Sequence, residues 1–353
     1  MTALPTTTTA AVLVAQGAPL EIHELEIPPL KEGQVLVSIA HSGICHTQLG
    51  EVRGKRGPDP WLPHCLGHEG GGTVLAIGSG VTRVAAGDRV VVSWIRGPGM
   101  AAPGAIYQAA GLGKVNSGPA NTFMTTSVVA ENRLTRLPPD FPLDVAALLG
   151  CAVPTGAGTV LKTAGAQAGE SLAVFGLGGV GLSAMIAGVY AGCAPIIAVD
   201  VVAAKLDVAR RLGATHVVDA SRTDAAAAVR EITGGKGVAV AIEAAGVPKA
   251  MESAYAATLV AGGRTVLAGN LPHQATITID PFPLLLGRKL LGGGGDSAPA
   301  EDIPRYIEAH QAGRMPLEGL ISHRFGLEDI NRAMDMLERG EVTRAIVSMT
   351  GDR

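Results

Sequence analysis

The sequence is poor in aromatic residues, in cysteine and in long runs of like charge. Aromatic side chains make up 3% of the 353 residues, which leaves few surfaces on which nucleic-acid bases could stack. The formal net charge is −3 and no basic run is present, which argues against nucleic acid or an anionic membrane as a partner. Four cysteines without a CxxC pair argue against both a disulfide framework and a four-cysteine metal site.

One uncharged stretch, residues 171–199, is long enough to cross a bilayer. Its glycines and Pro195 divide it into an apolar strand, a turn, a helix and a second strand, so we do not expect a membrane span. The Thr-rich N-terminus lacks the basic segment of a signal peptide. We therefore expect a soluble protein of the cytoplasm.

The chain length suits two domains, and the sequence pattern changes near residue 155. From about residue 10 to 92, short β-rich runs alternate with Gly/Pro turns, as in a β-barrel-like domain. Residues 96–119 are rich in Gly, Ala and Pro and predict a long loop or lobe. Beyond residue 155, alternating helices and strands predict a parallel, doubly wound sheet. The predicted helices are 158–166, 180–191, 203–212 and 223–232, and the predicted strands are 172–175, 196–200, 216–218, 238–242 and 264–268.

A glycine turn follows the first strand of this second region. Gly176-x-Gly178-x-x-Gly181 opens a helix whose free N–H groups can bind phosphate. Asp200 stands 19 positions after Gly181, where a carboxylate can hold a ribose 2′-OH and repel a 2′-phosphate. The sequence therefore predicts a dinucleotide site that favours NAD over NADP. The alternative is a glycine-rich turn beside a solvated aspartate.

Three distant segments each place a metal-ligand side chain beside a glycine, namely Cys45, His68 and Cys151. Two thiolates and one imidazole, with a fourth position open, are a ligand set of catalytic zinc. Such a zinc lowers the pKa of an alcohol, and it polarises a carbonyl group toward hydride attack. Taken singly, each residue is explained by ordinary burial, as we expect for Cys65. Their combination with a dinucleotide motif predicts hydride transfer to or from an alcohol or carbonyl group.

These motifs, in this order, resemble the zinc-containing medium-chain alcohol dehydrogenase family along nearly the whole chain. The resemblance implies an α/β fold with a GroES-like β-barrel catalytic domain, residues 1–152 and 296–353, and a Rossmann NAD-binding domain, residues 153–295. It implies an alcohol, aldehyde or ketone as substrate. It also implies a homodimer or homotetramer, for which residues 276–279 and 284–286 are the candidate contacts. The alternative is that this apolar surface is covered within the chain.

The resemblance further implies a role for each matching residue. Cys45, His68 and Cys151 would bind the catalytic zinc, with Glu69 behind the metal as a transient ligand. Thr47 would hydrogen-bond the substrate oxygen. Trp94 would line the substrate pocket, with packing in the core as an equal alternative. The cofactor contacts would come from the glycine turn, its surroundings and two distant basic side chains: His46, Thr155, Gly176, Gly178, Gly179, Val180, Gly181, Asp200, Lys205 and Arg344.

Four features depart from the family pattern. Residues 96–112 lack the cysteines of a structural zinc, so we predict one catalytic zinc per chain and no structural zinc. Gln48 replaces an aspartate beside the zinc-bound histidine, and Gly50 replaces a histidine that passes a proton to solvent. Small polar residues at 115–119 favour a polar or biosynthetic substrate, such as a sugar, a cyclitol or a secondary-metabolite alcohol. The alternatives are reduction of an imine or a conjugated C=C bond, or a non-catalytic NAD-binding role.

Overall fold

The structure, a computed structural model, describes residues 3–295 and 297–349. The chain divides into two compact units, which are treated separately below. The first comprises Met1–Cys151, Ala298–Pro304 and Ile321–Arg353, and the second comprises Ala152–Ser297 and Arg305–Leu320. The domain boundaries from the sequence stay a prediction, and their residues 1, 2, 296 and 350–353 lie outside the described residues.

The strands alternate with turns in the N-terminal half and with helices from residue 152 onward. In chain order they are β1 Thr7–Leu13, β2 Glu21–Glu26, β3 Gln34–Gly43, β4 His64–Cys65, β5 Glu69–Ile77, β6 Arg89–Ser93, β7 Ile106–Ala109, β8 Gly113–Asn116, β9 Thr126–Ala130, β10 Leu134–Arg136, β11 Leu172–Phe175, β12 Ile196–Asp200, β13 His216–Asp219, β14 Val240–Glu243, β15 Arg264–Leu267, β16 Lys289–Gly292, β17 His323–Gly326 and β18 Ala345–Ser348.

The α-helices are mostly short. They are α1 His46–Val52, α2 Leu143–Leu148, α3 Ala152–Gly158, α4 Gly179–Tyr190, α5 Ala203–Arg211, α6 Ala225–Ile232, α7 Pro248–Ala256, α8 Phe282–Leu285, α9 Pro299–Gln311 and α10 Ile330–Glu338. Single 3-10 turns occupy Glu131–Arg133, Leu317–Leu320 and Leu327–Asp329, and Thr159–Thr163 is a π-helical turn. Within the described ranges, none of these helices has both the length and the apolar character that a bilayer span requires.

The first unit contains a closed barrel and an adjoining sheet. In the described residues the barrel runs β1-β2-β7-β8-β4, and the sheet runs β10-β6-β5-β3-β18-β17 with β9 beside β3. Strand β18, near the C-terminus, pairs antiparallel with β3 and sets Ile346 opposite Gly43. The C-terminal segment therefore belongs to the same sheet as the N-terminal strands.

The barrel includes a hairpin where the sequence predicted a loop. Strands β7 and β8 lie within residues 96–119 and pair antiparallel. Their inward side chains, Tyr107 and Val115, are fully buried in the barrel core. The loop prediction is wrong here, because four-residue strands inside a Gly/Ala/Pro-rich segment carry too little alternation to be recognised.

The second unit is built on a parallel sheet with strand order β13-β12-β11-β14-β15-β16. All of its neighbouring strands pair in parallel. This is the order of a Rossmann fold, in which the strand sequence reverses between the first and fourth strands. The fold class predicted from the sequence, α/β with a GroES-like barrel and a Rossmann sheet, is confirmed.

One helix of this unit begins six residues earlier than predicted. The helix predicted over 158–166 is α3, which starts at Ala152 and passes into the π turn at Thr159. Pro154 lies in its first turn, where no backbone N–H is needed, so proline is compatible with the helix.

A buried carboxylate fastens the start of the 96–119 lobe. Glu131 is 2% exposed and accepts hydrogen bonds from the backbone N–H groups of Thr82 at 2.6 Å, Arg83 at 2.7 Å and Met100 at 2.6 Å. Burial by itself would raise the pKa of Glu131, but these donors lower it below its ordinary value. The lobe is thus held by charge-assisted hydrogen bonds.

We expect Glu131→Ala to lower the free energy of unfolding by about 3 kcal/mol at neutral pH, because three backbone N–H groups lose a charged acceptor. A lowered pKa means that this stabilisation is present above the ordinary glutamate pKa of 4.5 and is lost as the pH falls through the folded value. Chemical denaturation from pH 7 to pH 3, with the exposed Glu32→Ala as control, measures this. A difference that stays constant over that range would contradict it.

Candidate metal centre and dinucleotide site

Three potential metal ligands converge in the first unit. Cys45 is the N-cap of α1, His68 immediately precedes β5, and Cys151 ends the segment after α2. Their ligand atoms all lie within 4.8 Å of one another. The pairing of β3 with β5 brings the segments of Cys45 and His68 together.

The donor atoms fit a zinc ion. The side-chain amide of Gln48 contacts His68 Nδ1 and accepts the Cys45 backbone N–H at 3.1 Å, which links two of the ligands. Nε2 of His68 is buried and has no hydrogen-bond partner in the described chain, so it is the nitrogen left for a metal. Two sulfurs and one imidazole nitrogen with this spacing are a zinc donor set.

The contact between the two sulfurs shifts their pKa values in opposite directions. The hydrogen bond from Cys151 lowers the pKa of Cys45 well below its ordinary value, and the same contact raises the pKa of Cys151 well above it. A divalent cation would displace thiol protons and hold both sulfurs as thiolates. The cluster therefore suits a divalent metal better than it suits two neutral thiols.

A buried ion pair lies directly beside the cluster. Glu69 is fully buried and Arg344 is 4% exposed, and the Arg344 guanidinium contacts Glu69 Oε1 and donates to the Ile44 carbonyl at 2.8 Å. Burial raises the pKa of Glu69, and Arg344 opposes that rise. A Cβ at Gly43 would lie 2.5 Å from the guanidinium and 2.8 Å from the carboxyl group, so only glycine leaves room for the pair.

Cys151 reaches the cluster through a similarly close approach. A Cβ on Gly150 would lie 2.3 Å from the Val92 carbonyl oxygen and 2.7 Å from the Glu69 Cα atom. The hydroxyl group of Ser93 donates to the Gly150 carbonyl at 2.7 Å. The backbone before Cys151 is therefore pressed against β5 and β6.

The remaining predicted residues of the first unit surround the ligands. The Thr47 hydroxyl oxygen lies 3.6 Å from the Cys45 sulfur, which sets that hydroxyl beside the cluster. The ring of Trp94 meets the His68 ring edge-on at a centroid distance of 6.5 Å and is 39% exposed, so it is not a core residue. His46 is exposed at the start of α1. Cys65 lies in the barrel core and outside the ligand cluster.

The glycine turn of the second unit joins β11 to α4. Gly176 has φ +88°, and the helix begins at Gly179 with Gly178 as an extended N-cap that provides no side-chain hydrogen bond. Open space surrounds the Cβ position of Gly178. The first N–H groups of α4 are therefore available to an anion, which fits the pyrophosphate of a dinucleotide.

Asp200 ends the adjacent strand β12. One of its carboxylate oxygens accepts the Leu177 N–H of the glycine turn at 2.6 Å, and the other accepts the N–H groups of Val201 and Val202. Lys205 is half-buried in the first turns of α5. The same carboxylate predicted to bind ribose thus also shapes the phosphate turn, which the sequence did not indicate.

Thr155 and Val180 are brought together by the packing of α3 on α4. A Cβ on Gly156 would lie 2.2 Å from the Val180 carbonyl oxygen. The hydroxyl of Thr155 is buried and has no hydrogen-bond partner among the described residues. Two residues predicted to line the nicotinamide are therefore neighbours in space, with a hydroxyl left for a ligand.

Some features of the site carried no recognisable sequence signal. The pairing of Glu69 with Arg344 joins residues 275 positions apart. It depends on the pairing of β3 with β18, which brings Arg344 back to the N-terminal strands. The contact between Gln48 and His68, in contrast, was expected from the sequence, which places Gln48 beside the zinc-bound histidine. Gly43, directly before Ile44, is evident in the sequence. The need for a glycine there is evident only in the structure, because the ion pair of Glu69 and Arg344 fills the space that a side chain would occupy.

The chain matches two families of known domains. Residues 31–139 match the alcohol dehydrogenase GroES-like domain, and residues 179–308 match the zinc-binding dehydrogenase family. Among characterised relatives, it is 33% identical to S-(hydroxymethyl)glutathione dehydrogenase of Synechocystis sp., covering 96% of this chain and 98% of that protein. It is 32% identical to NDMA-dependent alcohol dehydrogenase of Amycolatopsis methanolica, covering 98% and 100%.

Solved structures give the same result. The alcohol dehydrogenase zinc-binding domain protein from Burkholderia ambifaria superposes with a TM-score of 0.90 at 33% identity, covering 97% of this chain and 99% of that one. Benzyl alcohol dehydrogenase from Acinetobacter calcoaceticus superposes with a TM-score of 0.88 at 31% identity, covering 98% and 99%. The likeness extends over both units rather than over one domain.

The ligand cluster predicts one zinc ion per chain and its loss on removal of a ligand. We expect Cys151→Ala to weaken zinc binding by more than about a hundredfold, because changes to residues behind metal ligands alone cost 10–100-fold. Elemental analysis of the dialysed protein measures this, with Cys193→Ala, a buried thiol outside the cluster, as the matched control. A second zinc per wild-type chain, or full zinc content in Cys151→Ala, would refute the assignment.

Proposed function

Because the chain belongs to the zinc-dependent medium-chain alcohol dehydrogenase family, we propose that it is an NAD-dependent alcohol dehydrogenase or carbonyl reductase. The family makes it a zinc-dependent oxidoreductase with a nicotinamide cofactor. The observation that supports the proposal most directly is the convergence of Cys45, His68 and Cys151 within 4.8 Å. A non-catalytic NAD-binding protein has no use for that cluster.

We assign zinc to Cys45, His68 and Cys151, where it would act as a Lewis acid while NAD accepts the hydride. We propose that Thr47 holds the substrate oxygen, since this hydroxyl lies beside the cluster. It would receive the substrate proton at Oγ1 while releasing its own hydroxyl proton toward the nicotinamide ribose. Glu69 would act as a transient ligand from behind the metal. Its charge is balanced by Arg344, which limits the cost of keeping a carboxylate there.

The preference for NAD over NADP is supported by Asp200 and its surroundings. The Asp200 carboxylate would accept the ribose hydroxyl groups and repel a 2′-phosphate. The next two residues, Val201 and Val202, offer no cation to such a phosphate. Lys205 would contact the same ribose.

We propose the remaining cofactor contacts on the predicted residues. Gly176, Gly178, Gly179 and Gly181 would shape the phosphate turn, with the N–H groups of α4 facing the pyrophosphate. Thr155 and Val180 would line the nicotinamide, and the unpartnered Thr155 hydroxyl supports this. His46, which is exposed, would add positive charge to the pyrophosphate site. The same role for Arg344 stays a prediction from the resemblance, since its guanidinium faces Glu69.

We assign zinc chemistry to a catalytic domain, residues 1–152 and 296–353, and NAD binding to residues 153–295. The proposed substrate is a polar or biosynthetic alcohol, such as a sugar, a cyclitol or a secondary-metabolite alcohol, with Trp94 lining its pocket. All four cysteines are free thiols. Free thiols are typical of a reducing compartment, so we place the activity in the cytoplasm.

We expect the zinc-loaded protein to reduce NAD with at least one polar secondary alcohol or polyol, at a kcat/KM more than about tenfold above that for ethanol or benzyl alcohol. The assay follows nicotinamide absorbance with NAD and NADP in parallel. Ethanol or benzyl alcohol as the best substrate would overturn the substrate class. NADH oxidation by imines or conjugated enones alone would favour the alternative reductase.

Thr47→Val, which keeps the side-chain shape but removes the hydroxyl, should lower kcat by about a hundredfold in the same assay.

We also propose that the chain is a dimer, or a tetramer built from dimers, through the apolar face at α8. Phe282, Leu285 and Leu286 are 60%, 81% and 49% exposed, and β16, the last strand of the parallel sheet, lies close in the chain. An exposed apolar patch beside an unpaired sheet edge is typical of a subunit interface. Two-fold symmetry is the commonest way to bury such a face.

Leu285→Asp should shift the protein from a dimer or tetramer to a monomer, because it places a charge in the proposed interface. Light scattering coupled to size exclusion measures the mass directly. Ile22→Asp, an exposed apolar residue on strand β2, is the control and should leave the mass unchanged. A wild-type monomer at micromolar concentration would contradict the proposal.

A further inference from the structure

A buried glutamate lies at the carboxyl end of the parallel sheet in the second unit. Glu243 is the last residue of β14 and has no exposed surface. Strand β14 lies between β11 and β15, and Glu243 pairs in register with Phe175 and Leu267. The strand order reverses between β11 and β14, and α/β proteins bind their ligands in the crevice at such a reversal.

One oxygen of Glu243 holds the turn that follows its own strand. Oε1 accepts the backbone N–H groups of Ala245 and Gly246, each at 2.8 Å. Oε2 is buried with no hydrogen-bond partner among the described residues, and a Cβ on Gly269 would lie 2.6 Å from it. Burial raises the pKa of Glu243 to about 7. A carboxyl group buried at this cost is more typical of a functional site than of a packed core.

The turn held by Glu243 packs on the phosphate turn. A Cβ on Gly176 would lie 2.6 Å from the Ala245 nitrogen and 2.7 Å from its Cα atom. The Gly246 nitrogen lies 2.2 Å from the Cβ position of Gly269, in the loop after β15. The loops that follow β11, β14 and β15 therefore form one close-packed layer above Glu243.

We propose that Glu243 is a positioning residue for the dinucleotide: by fixing the backbone of Ala245, its carboxyl group sets the position of the glycine turn 176–181. The inference rests on the proposed binding of NAD(H) by this unit. Glu243 acts through the backbone and not by contact, because no part of its side chain reaches the surface. The oxygen that accepts two N–H groups is the functional atom.

Direct binding of NADH, followed by nicotinamide fluorescence, tests this without a known substrate. We expect Glu243→Ala to raise the Kd for NADH by about tenfold or more, because two backbone donors lose their acceptor. Glu243→Gln keeps an acceptor oxygen at the same reach and should bind within about threefold of wild type. Glu243→Asp keeps the charge but is one methylene shorter, so we expect about fivefold weaker binding. Once a substrate is found, KM for NAD should follow the Kd while kcat does not fall.

Ile242→Ala is the matched control, since Ile242 is equally buried on the same strand and points to the other face of the sheet. It should lower the melting temperature and leave the Kd for NADH unchanged. Wild-type affinity in Glu243→Ala or Glu243→Asp, or a Glu243→Gln variant as weak as Glu243→Ala, would overturn the inference. Failure of the wild type to bind NADH would instead remove the proposed function, and this inference with it.

Discussion

The first unit is organised around an ion pair buried beside its metal ligands. Glu69 and Arg344 are almost completely enclosed, and either charge alone would cost several kcal/mol. Arg344 immediately precedes β18, so the pair requires the C-terminal segment to return and pair with β3. That ladder also holds Gly43 and Ile44, the residues leading to the first ligand, Cys45. One electrostatic requirement thus links the chain terminus, the sheet and the position of a metal ligand.

Charge is balanced in pairs around this centre. Two thiolates would neutralise a divalent cation, and Arg344 neutralises Glu69, so the buried site carries no large uncompensated charge. The second unit uses backbone dipoles in place of charged side-chain pairs. The open N-terminus of α4 offers N–H groups to a phosphate. Asp200 and Glu243 accept backbone N–H groups of the surrounding turns. Both carboxyl groups fix the backbone of loops at the carboxyl ends of the parallel strands. Loops at these ends line the crevice in which such sheets bind their ligands.

Local sequence patterns specify some elements of this fold and leave others unmarked. The fold class and the glycine turn were predictable, because strand–turn–helix alternation and the spacing of Gly176, Gly178 and Gly181 are local patterns. The hairpin of β7 and β8 and the early start of α3 were missed, since both lie in segments whose glycines and prolines hide short regular elements. The roles of Glu131 and Glu243 were equally invisible, because each depends on backbone donors that only the folded loops bring together.

The sequence by itself determined which chemistry the chain carries: the ligand types Cys45, His68 and Cys151, the phosphate turn, and an acidic residue at the end of the following strand. These features follow from residue identity and from short spacings along the chain, which do not depend on how distant segments fold together. Only the tertiary structure decided that the three ligands converge, that Arg344 faces Glu69, and that Glu243 lies beneath the glycine turn. The physical reason is that convergence and burial arise from pairings between strands far apart in the chain, and no local pattern specifies those pairings.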